Sequence, residues 1–202
     1  MKYNYILALM CITLVVHAFN KKDIERAKNP QERILINGDL ENANLTRADI
    51  HNNLWIATSA AKVNLYNATM GDITILDSNL RGANLERAQV QKALIAETDL
   101  SESNLKDANL EDIQLYKVKL TDAVLDRANF MGAILVEVKF KRTSLSNVNF
   151  EGADLRSCNF SQIKSLDGIN FKGAKLQDSD FRGIENLSEQ WKLFLKNAGA
   201  LV

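Results

Sequence analysis

The sequence predicts an all-β fold, a solenoid whose coils each have four sides. Between residues 40 and 160 every fifth residue is apolar, which gives 25 consecutive repeats without insertion or deletion. Two residues before these centres, 22 of the 25 positions hold Gly, Ala, Ser, Thr, Cys or Val, so one large and one small side chain recur together. A period of five matches neither an α-helix nor a flat β-strand, and it indicates short sides joined by turns.

Two features set the number of sides at four. From residue 130 the centres alternate between Phe and Leu up to Phe160, so four sides place the Phe residues in ladders on opposite faces, with coils ~4.8 Å apart. A five-sided coil would mix Phe with Leu in these ladders. The second feature lies outside, because the residues flanking every fourth centre from 55 to 135 are apolar in eight of ten cases. Both features recur at every fourth repeat, as a four-sided coil requires.

The repeat also has a recognisable motif. Ala-Asn-Leu occurs at 43–45, 83–85 and 108–110, and Ala-Asp-Leu occurs at 153–155, so a turn-favouring Asp or Asn often precedes the centre. Over about residues 35–181 the chain resembles the pentapeptide-repeat family, whose pattern is A(D/N)LXX. The resemblance implies a right-handed quadrilateral β-helix with the centre and the small residue both pointing inward. The count of about 29 repeats gives about seven coils.

The segment 1–18 is expected to be a secretory signal peptide. Lys2 precedes an apolar run over residues 5–16, and Val-His-Ala at 16–18 fits a small-x-small cleavage site. An uncleaved anchor is the alternative. The apolar run is shorter than the roughly 17 to 25 residues that a membrane-spanning helix requires, so no transmembrane segment is expected after signal removal. The protein is predicted to be exported, either to a bacterial periplasm or to the external medium.

An open solenoid needs capped ends. Residues 19–34 are predicted to cap the first coil, with a short helix over 21–29 that ends at Pro30. The repeats occupy 35–185 and gain one residue within 161–165. Residues 186–202 are predicted to hold a capping helix that begins after Ser188 and runs from about 189 to 197. Its apolar face has two interpretations, a lid on the last coil or the C-terminal dimer contact that gyrase-protecting members of the family imply. The residues of that face are Trp191, Phe194 and Leu195.

Residues suited to catalysis are scarce. After signal removal the chain holds one histidine, His51, and one cysteine, Cys158, so a metal site built from His and Cys within one chain is excluded. His51 is expected on the surface and Cys158 at a small inward position. No pair of carboxyl groups stands out as an acid and a base, and no glycine-rich phosphate loop occurs. The sequence therefore predicts neither an enzyme nor a cofactor.

The apolar outer side is the candidate partner-binding site. Trp55 at its start has two expected orientations, packed inside as an oversized centre or turned to solvent by a local slip of register. A helix, a second copy of the chain or another protein partner would fit this side, unless the N-terminal segment or the C-terminal helix folds over it. The predicted binding residues are Leu54, Trp55, Ile56, Leu76, Leu94, Tyr116, Ile134 and Val136. The predicted function is a non-catalytic binding or scaffold protein.

The alternative function is protection of DNA gyrase by mimicry of duplex DNA, as in quinolone-resistance members of the family. Such mimicry needs a strongly acidic surface, but the chain has 25 acidic and 25 basic residues, and the same balance predicts no nucleic-acid ligand. One basic patch is formed by Lys139, Lys141 and Arg142, with Lys119 one coil away. It is either a solvated face or a docking site for an anionic partner.

Overall fold

The computed structural model describes residues 20–29, 31–185 and 187–202, so the predicted signal peptide at 1–18 lies outside the described residues. Six three-residue strands form one parallel sheet in chain order, and a short helix lies at each end. In chain order the elements are α1 (Asn20–Lys28), β1 (Ile34–Ile36), β2 (Leu54–Ile56), β3 (Thr74–Leu76), β4 (Leu94–Ala96), β5 (Gln114–Tyr116), β6 (Ile134–Val136) and α2 (Glu189–Asn197).

The chain winds in square coils. Each strand pairs with the next strand along the chain, as in the pairing of Leu35 with Trp55, and we call the side that carries β1 to β6 wall 1. Isolated parallel bridges with the same spacing along the chain define walls 2, 3 and 4, which begin with Asp39–Ser59, Asn44–Asn64 and Asp49–Thr69. On wall 1, five strand pairings and two further bridges, Ile134–Asp154 and Asp154–Lys175, make seven steps. The predicted four-sided β-helix of about seven coils is confirmed.

The lumen is filled as the repeat predicts. Every centre from Leu40 to Phe160 is buried, and so are the small residues two positions earlier, apart from the half-buried Ala48. The inward side chains of one coil lie directly over those of the next, so large and small residues fill the square section at close packing. The continuous core therefore follows from the sequence pattern alone.

The Phe centres form two stacked ladders inside the last coils. Within a ladder the ring centroids are 4.6–5.5 Å apart and the planes lie within 25° of parallel, while rings of different ladders meet edge to face at 5.9–6.3 Å. Both are favourable aromatic geometries, each contributing about 0.5–1.5 kcal/mol beyond burial. The ladders are Phe130–Phe150–Phe171 and Phe140–Phe160–Phe181.

The predicted extra residue lies between the last two coils. The bridge from Lys139 to Asn159 keeps the regular step, whereas the bridge from Asn159 to Asp180 is one position longer. Ile163 and Leu166 are buried on either side of a bend at Lys164, so the insertion leaves the core closed. The Phe ladders pass through this point unbroken, as predicted.

In the coils of β2 and β3 one corner differs from the other three, whereas in the last coils it closes the ordinary turn, as where Cys158 N donates to Leu155 O at 3.2 Å. Between walls 2 and 3 the small residue closes a turn, as where Ala43 N donates to Leu40 O at 2.9 Å. Between walls 1 and 2 the acceptor of the corner N–H is instead a hydroxyl of the next coil, since Thr58 N donates to Ser78 Oγ at 3.0 Å. Ser or Thr therefore occupies the small position at this corner in three consecutive coils, at 58, 78 and 98.

Helix α1 caps the first coil. The carboxylate of Asp23, which is almost fully buried, accepts a hydrogen bond from Asp39 N at 3.0 Å, and Arg26 donates to Ile34 O at 3.2 Å. These side chains satisfy backbone groups of a coil that has no neighbour above it. The helix starts one residue before the predicted range of 21–29 and ends one residue earlier, at Lys28.

The other end is closed by α2 and the chain terminus. The helix spans Glu189–Asn197 as predicted, and Ser188 Oγ accepts from Trp191 N at 3.2 Å. The terminus then adds an isolated parallel β-bridge between Asp180 and Leu201 that was not predicted, and Phe181 N donates to Leu201 O at 2.7 Å. Neither described helix has the length and apolarity that a bilayer crossing requires.

Candidate binding wall

Wall 1 presents two outward columns of side chains, one on each side of the buried centres. Strand pairing holds the columns in register, with Leu54 beside Thr74 and Ile56 beside Leu76. Ten of the twelve outward side chains on β1 to β6 are apolar, and we call this surface the apolar wall. The first column is Ile34, Leu54, Thr74, Leu94, Gln114 and Ile134, and the second is Ile36, Ile56, Leu76, Ala96, Tyr116 and Val136.

The apolar wall faces outward along its whole length. Ile34 and Ile134 at its two ends are 49% and 41% exposed, and most of the side chains between them are half-buried by their neighbours in the ladder. Helix α1 contacts only β1, and α2 contacts none of the six strands. Among the described residues, therefore, neither terminal helix folds over β2 to β6. The wall stops at the next coil, where Arg156 pairs with Asp154 at 2.7 Å.

Seven of the eight predicted binding residues lie on this surface, and Trp55 does not. Its side chain is fully buried in the lumen between the centres Leu35 and Ile75, so its inclusion in a partner-binding set is wrong. The small centre Ala60 on the adjoining wall leaves room for the indole, and the register does not slip. Among the described residues neither Trp55 Nε1 nor the nearby Asn53 Oδ1 has a hydrogen-bond partner.

The first rung of the wall was not predicted from the sequence. Ile34 and Ile36 flank a centre at Leu35, five residues before the first counted centre, Leu40. An apolar residue at 35 with apolar neighbours on both sides was the available signal.

Charged side chains border the apolar wall at its corners. The corner residues have positive φ, for example 48° at Asp77 and 59° at Lys92, and their side chains are exposed. On the wall 2 side a groove of about 340 Å³ runs beside the strands, where Lys117 Nζ lies 4.0 Å from Glu97 Oε1. The charged residues lining this groove are Asp77, Glu97, Asp99, Lys117 and Lys119.

Asparagine ladders on walls 3 and 4 are structural. Asn84 Nδ2 donates to Asn64 Oδ1 at 3.2 Å, and Asn149 Nδ2 donates to Asn129 Oδ1 at 2.9 Å. The same oxygens accept backbone N–H groups two residues later, as from Tyr66 N to Asn64 Oδ1. These amides stabilise neighbouring coils and their turns, so walls 3 and 4 offer a partner fewer free polar groups.

The basic patch on wall 2 is smaller than its sequence suggests. Arg142 donates two hydrogen bonds, of 2.7 and 2.6 Å, to the carboxylate of Asp122, and these bonds hold the pKa of Asp122 below its usual value. Lys119 and Lys139 lie in register one coil apart. The patch therefore comprises three lysines, the third being Lys141, while Arg142 is paired within the chain.

No catalytic grouping is visible in the described part of the chain. No cluster of three or more His, Cys, Asp or Glu side chains suited to a metal ion occurs among those residues. His51 lies on the surface, where its Nδ1 contacts Asp49 Oδ1, and this hydrogen bond lowers the pKa of the Asp49 carboxyl. Cys158 Sγ is buried 3.4 Å from Leu135 O.

Cys158 is expected to resist thiol reagents in the folded protein. Burial raises the pKa of its thiol to about 12, so the reactive thiolate is almost absent at pH 8. With Cys11 replaced by Ser, the protein should take up no Ellman's reagent within an hour at pH 8 and one equivalent in denaturant. Rapid labelling of the folded protein would contradict the buried position.

The aromatic face of α2 packs on the last coil. Trp191 meets the Phe171 ring edge to face at 6.1 Å, and Phe194 lies 6.5 Å from the same ring. Leu195 is fully buried, as a lid requires, so it cannot itself contact a second copy. Phe194 and Leu193 remain 40% and 63% exposed beyond the lid.

Comparison with solved structures supports the fold. A trypsin-treated variant of QnrB1, described as a plasmid-mediated fluoroquinolone resistance protein, is 18% identical with a TM-score of 0.67, and the match covers 84% of this chain and 91% of that one. A second trypsin-treated QnrB1 variant is 17% identical with a TM-score of 0.56, covering 84% and 97%. At these identities the likeness shows the fold alone. No curated protein sequence matches the chain.

The sequence itself matches a family. Eight copies of the motif described as pentapeptide repeats match over residues 78–122 and 123–162. The same period continues on either side of these segments, with buried centres at Leu65 and Phe171. Residues 78–162 therefore match the pentapeptide-repeat family, and the five-residue period and the square coils continue that pattern through the rest of the solenoid.

Proposed function

We propose that this protein is an exported, non-catalytic scaffold that binds a protein partner through the apolar wall. The observation that carries the proposal is the wall itself, ten apolar side chains in two registered columns, of which neither described helix contacts those on β2 to β6. A contiguous exposed apolar surface on a folded domain is typical of a contact site. The other three walls are mainly polar and charged, so the apolar side chains are concentrated on one of four faces.

The dimensions of the wall limit the partner. Six rungs span ~24 Å, and the two columns stand ~7 Å apart. The area of such a strip is smaller than that of a standard protein interface, which buries about 800 Å² on each partner. A single docked helix or a narrow contact between two copies fits this area.

Two further parts of the proposal rest on the sequence. The absence of catalytic activity is supported by the single buried cysteine, the surface histidine and the lack of a metal-binding cluster among the described residues. Export is supported by the signal-peptide pattern of residues 1–18. N-terminal sequencing of the protein recovered from the exported fraction tests this part, because a cleaved signal leaves Phe19 as the first residue.

Protection of DNA gyrase is the weaker alternative. The QnrB1 variants are described as fluoroquinolone resistance proteins, but their likeness to this chain extends to the fold alone. Equal numbers of acidic and basic residues give no strongly negative surface to imitate DNA. A gyrase supercoiling assay with a quinolone separates the two functions directly.

Association through α2 is the other route to a second copy. Leu195 is buried on the inner face of α2, so this contact would depend on Leu193 and Phe194. Replacing both with Ser removes the exposed apolar groups while leaving Leu195 in place. Loss of self-association in that variant, rather than in wall variants, would place the dimer contact at the C-terminal end.

The double substitution Leu76→Asp with Leu94→Asp is expected to abolish partner capture or self-association while the coil stays intact. Both side chains point outward, and their ladder neighbours are uncharged, so two carboxylates disrupt the apolar surface without entering the core. Crosslinking pull-down from the exported fraction and sedimentation velocity measure the two kinds of contact. Circular dichroism reports the fold.

The matched control places the same two charges on other walls. Ala61→Asp with Val124→Asp changes outward residues of walls 2 and 3 and alters the net charge equally. This control should capture and sediment like the wild type. If the wall variant behaves like the control in both measurements, the apolar wall has no binding role.

A further inference from the structure

We infer that the occupant of the apolar wall is a basic amphipathic helix of a partner protein. This inference rests on the proposed function and adds the shape and charge of the partner. It follows from the backbone hydrogen bonding of the wall, its spacing and the charges along its edges.

The wall offers a partner no backbone hydrogen bonds. Its N–H and C=O groups are bonded along the solenoid axis to the coils above and below, as where Leu94 N donates to Ile73 O at 2.9 Å. An extended peptide laid on this face would cover its own polar groups with apolar side chains, at a cost of about 1–3 kcal/mol for each unpaired group. A helix satisfies its backbone internally, so it can press an apolar face onto the wall without that cost.

The spacing of the wall also suits a helix. The rungs repeat every ~4.8 Å, close to the roughly 5.4 Å pitch of an α-helix, and the ~24 Å length of the wall corresponds to about 16 helical residues. In the second column the small Ala96 lies between Leu76 and Tyr116, and in the first column Thr74 lies between Leu54 and Leu94. Each smaller side chain leaves a notch that a Leu or Phe of the helix can fill.

The edges of the wall set the charge of the partner. Ten exposed corner positions flank β2 to β6, and five carry carboxylates while two carry ammonium groups, which gives a corner sum of −3. The next outward columns, on walls 2 and 4, carry two negative charges, Asp99 and Glu111, and two positive charges, Lys119 and Lys139. These charges cancel, so the sum stays at −3. The charged corner residues are Asp72, Asp77, Lys92, Glu97, Asp112, Lys117 and Glu137.

This acidic border favours a helix with Lys or Arg on both sides of its apolar face. Complementary charges along an interface raise the association rate and discriminate against partners of the wrong sign. A helix with Glu in the same places would meet like charges on both edges. The apolar wall therefore supplies the contact area, and the corners select the partner.

The test uses two fluorescein-labelled synthetic helices that are long enough to span the wall and share the same Leu and Ala face, flanked either by Lys or by Glu. Fluorescence anisotropy at low salt is expected to show at least tenfold tighter binding of the Lys peptide. The variant L76D/L94D should lose binding of both peptides. Raising the salt to about 0.5 M should weaken the preference, since these corner charges are exposed.

A charge-neutral border provides the decisive variant. Asp72→Asn, Asp77→Asn and Asp112→Asn together bring the corner sum from −3 to zero, and Asn tolerates the positive φ of 56°, 48° and 56° at these positions. This variant should reduce the preference for the Lys peptide to threefold or less. The control, Asp167→Asn, Asp178→Asn and Glu185→Gln, changes the total charge equally in the last coils and should keep the tenfold preference.

Several results would overturn the inference. Equal binding of the two peptides, tighter binding of the Glu peptide, or an equal effect of the control variant would remove the charge selection. Binding of neither peptide would exclude a helical occupant. None of these results decides the proposed function, because the pull-down and sedimentation comparison of L76D/L94D with its own control does not require a helical or basic partner.

Discussion

Replacing Phe150 with Ala is expected to lower the free energy of unfolding by about 3 to 5 kcal/mol. The ring is fully buried and stacks on two others, Phe130 at 5.2 Å and Phe171 at 5.5 Å. It also meets Phe140 and Phe160 edge to face, so it contacts both ladders. The backbone of each coil is bonded to its neighbours, which limits collapse into the cavity left by the ring.

Urea unfolding followed by circular dichroism measures this loss. The control Met131→Ala removes an apolar side chain from the outer surface of the same region, 37% exposed, and should change the free energy of unfolding by less than about 0.5 kcal/mol. A loss below about 1 kcal/mol for Phe150→Ala would mean that the ladder is not a closely packed part of the core.

Trp55 and Trp191 show whether the solenoid unfolds as one unit. Trp55 lies in the lumen near the start of the coils and Trp191 packs on Phe171 at their end. Repeat proteins are stabilised by contacts between neighbouring units, so the two ends need not unfold together. Fluorescence of variants that retain one tryptophan each would show whether Phe150→Ala destabilises one end of the solenoid or both ends.

The lumen could be predicted because it depends on side-chain size at a fixed period. Each centre has one inward orientation once the coil is square, so the sequence determined the Phe ladders and their passage through the insertion at 161–165. The orientation of Trp55 depended on one further property, whether the volume of its side chain fits the lumen. The answer depends on Ala60 across the corner, and the period alone does not decide between packing and a slip of register.

Features formed between coils were harder to predict. The hydroxyl of Ser78 replaces a turn hydrogen bond of the coil above, and the Asn64–Asn84 amide pair joins two neighbouring coils. Both are visible in the sequence as a residue type recurring at every fourth repeat. Their role follows only when the distance between coils and the direction of each side chain are known.

The candidate site was predicted in outline because outward positions on one wall are also periodic. The pairing of Arg142 with Asp122 was not predicted, since it depends on which of several long side chains meet across a coil. The β-bridge at Leu201 was missed for another reason. It lies outside the repeat and is placed by α2, which turns the chain back over the last coil.

Removing five residues is expected to damage the binding surface more than removing twenty. Deletion of residues 97–101 takes out one side of a coil, so every later repeat moves back by one wall. Wall 1 would then continue from Ala96 into the lysine-bearing positions 119, 139 and 141, and Ile134 with Val136 would move to wall 4. Deletion of residues 97–116 removes one whole coil and leaves Ile134 and Val136 on wall 1.

Both deletions should fold, since each joins Ala96 to a residue that suits the corner. Glu102 or Lys117 takes the place of Glu97, and all three occupy positive φ, at 62°, 55° and 52°. Partner capture and binding of the Lys peptide are therefore expected to fall at least tenfold in the five-residue deletion. The twenty-residue deletion shortens the wall by one rung of six and, by removing Glu97 and Asp112, changes the corner sum from −3 to −1, so it should lose less binding than the five-residue deletion.

The comparison separates continuity of the wall from length of the chain. Circular dichroism and sedimentation establish that both proteins are folded, and anisotropy with the Lys peptide measures binding. If the five-residue deletion binds as tightly as the wild type, the partner does not require an unbroken apolar strip. If the twenty-residue deletion loses binding instead, the removed side chains, which include Tyr116 and the corner carboxylates Glu97 and Asp112, contribute more than the alignment of the wall does.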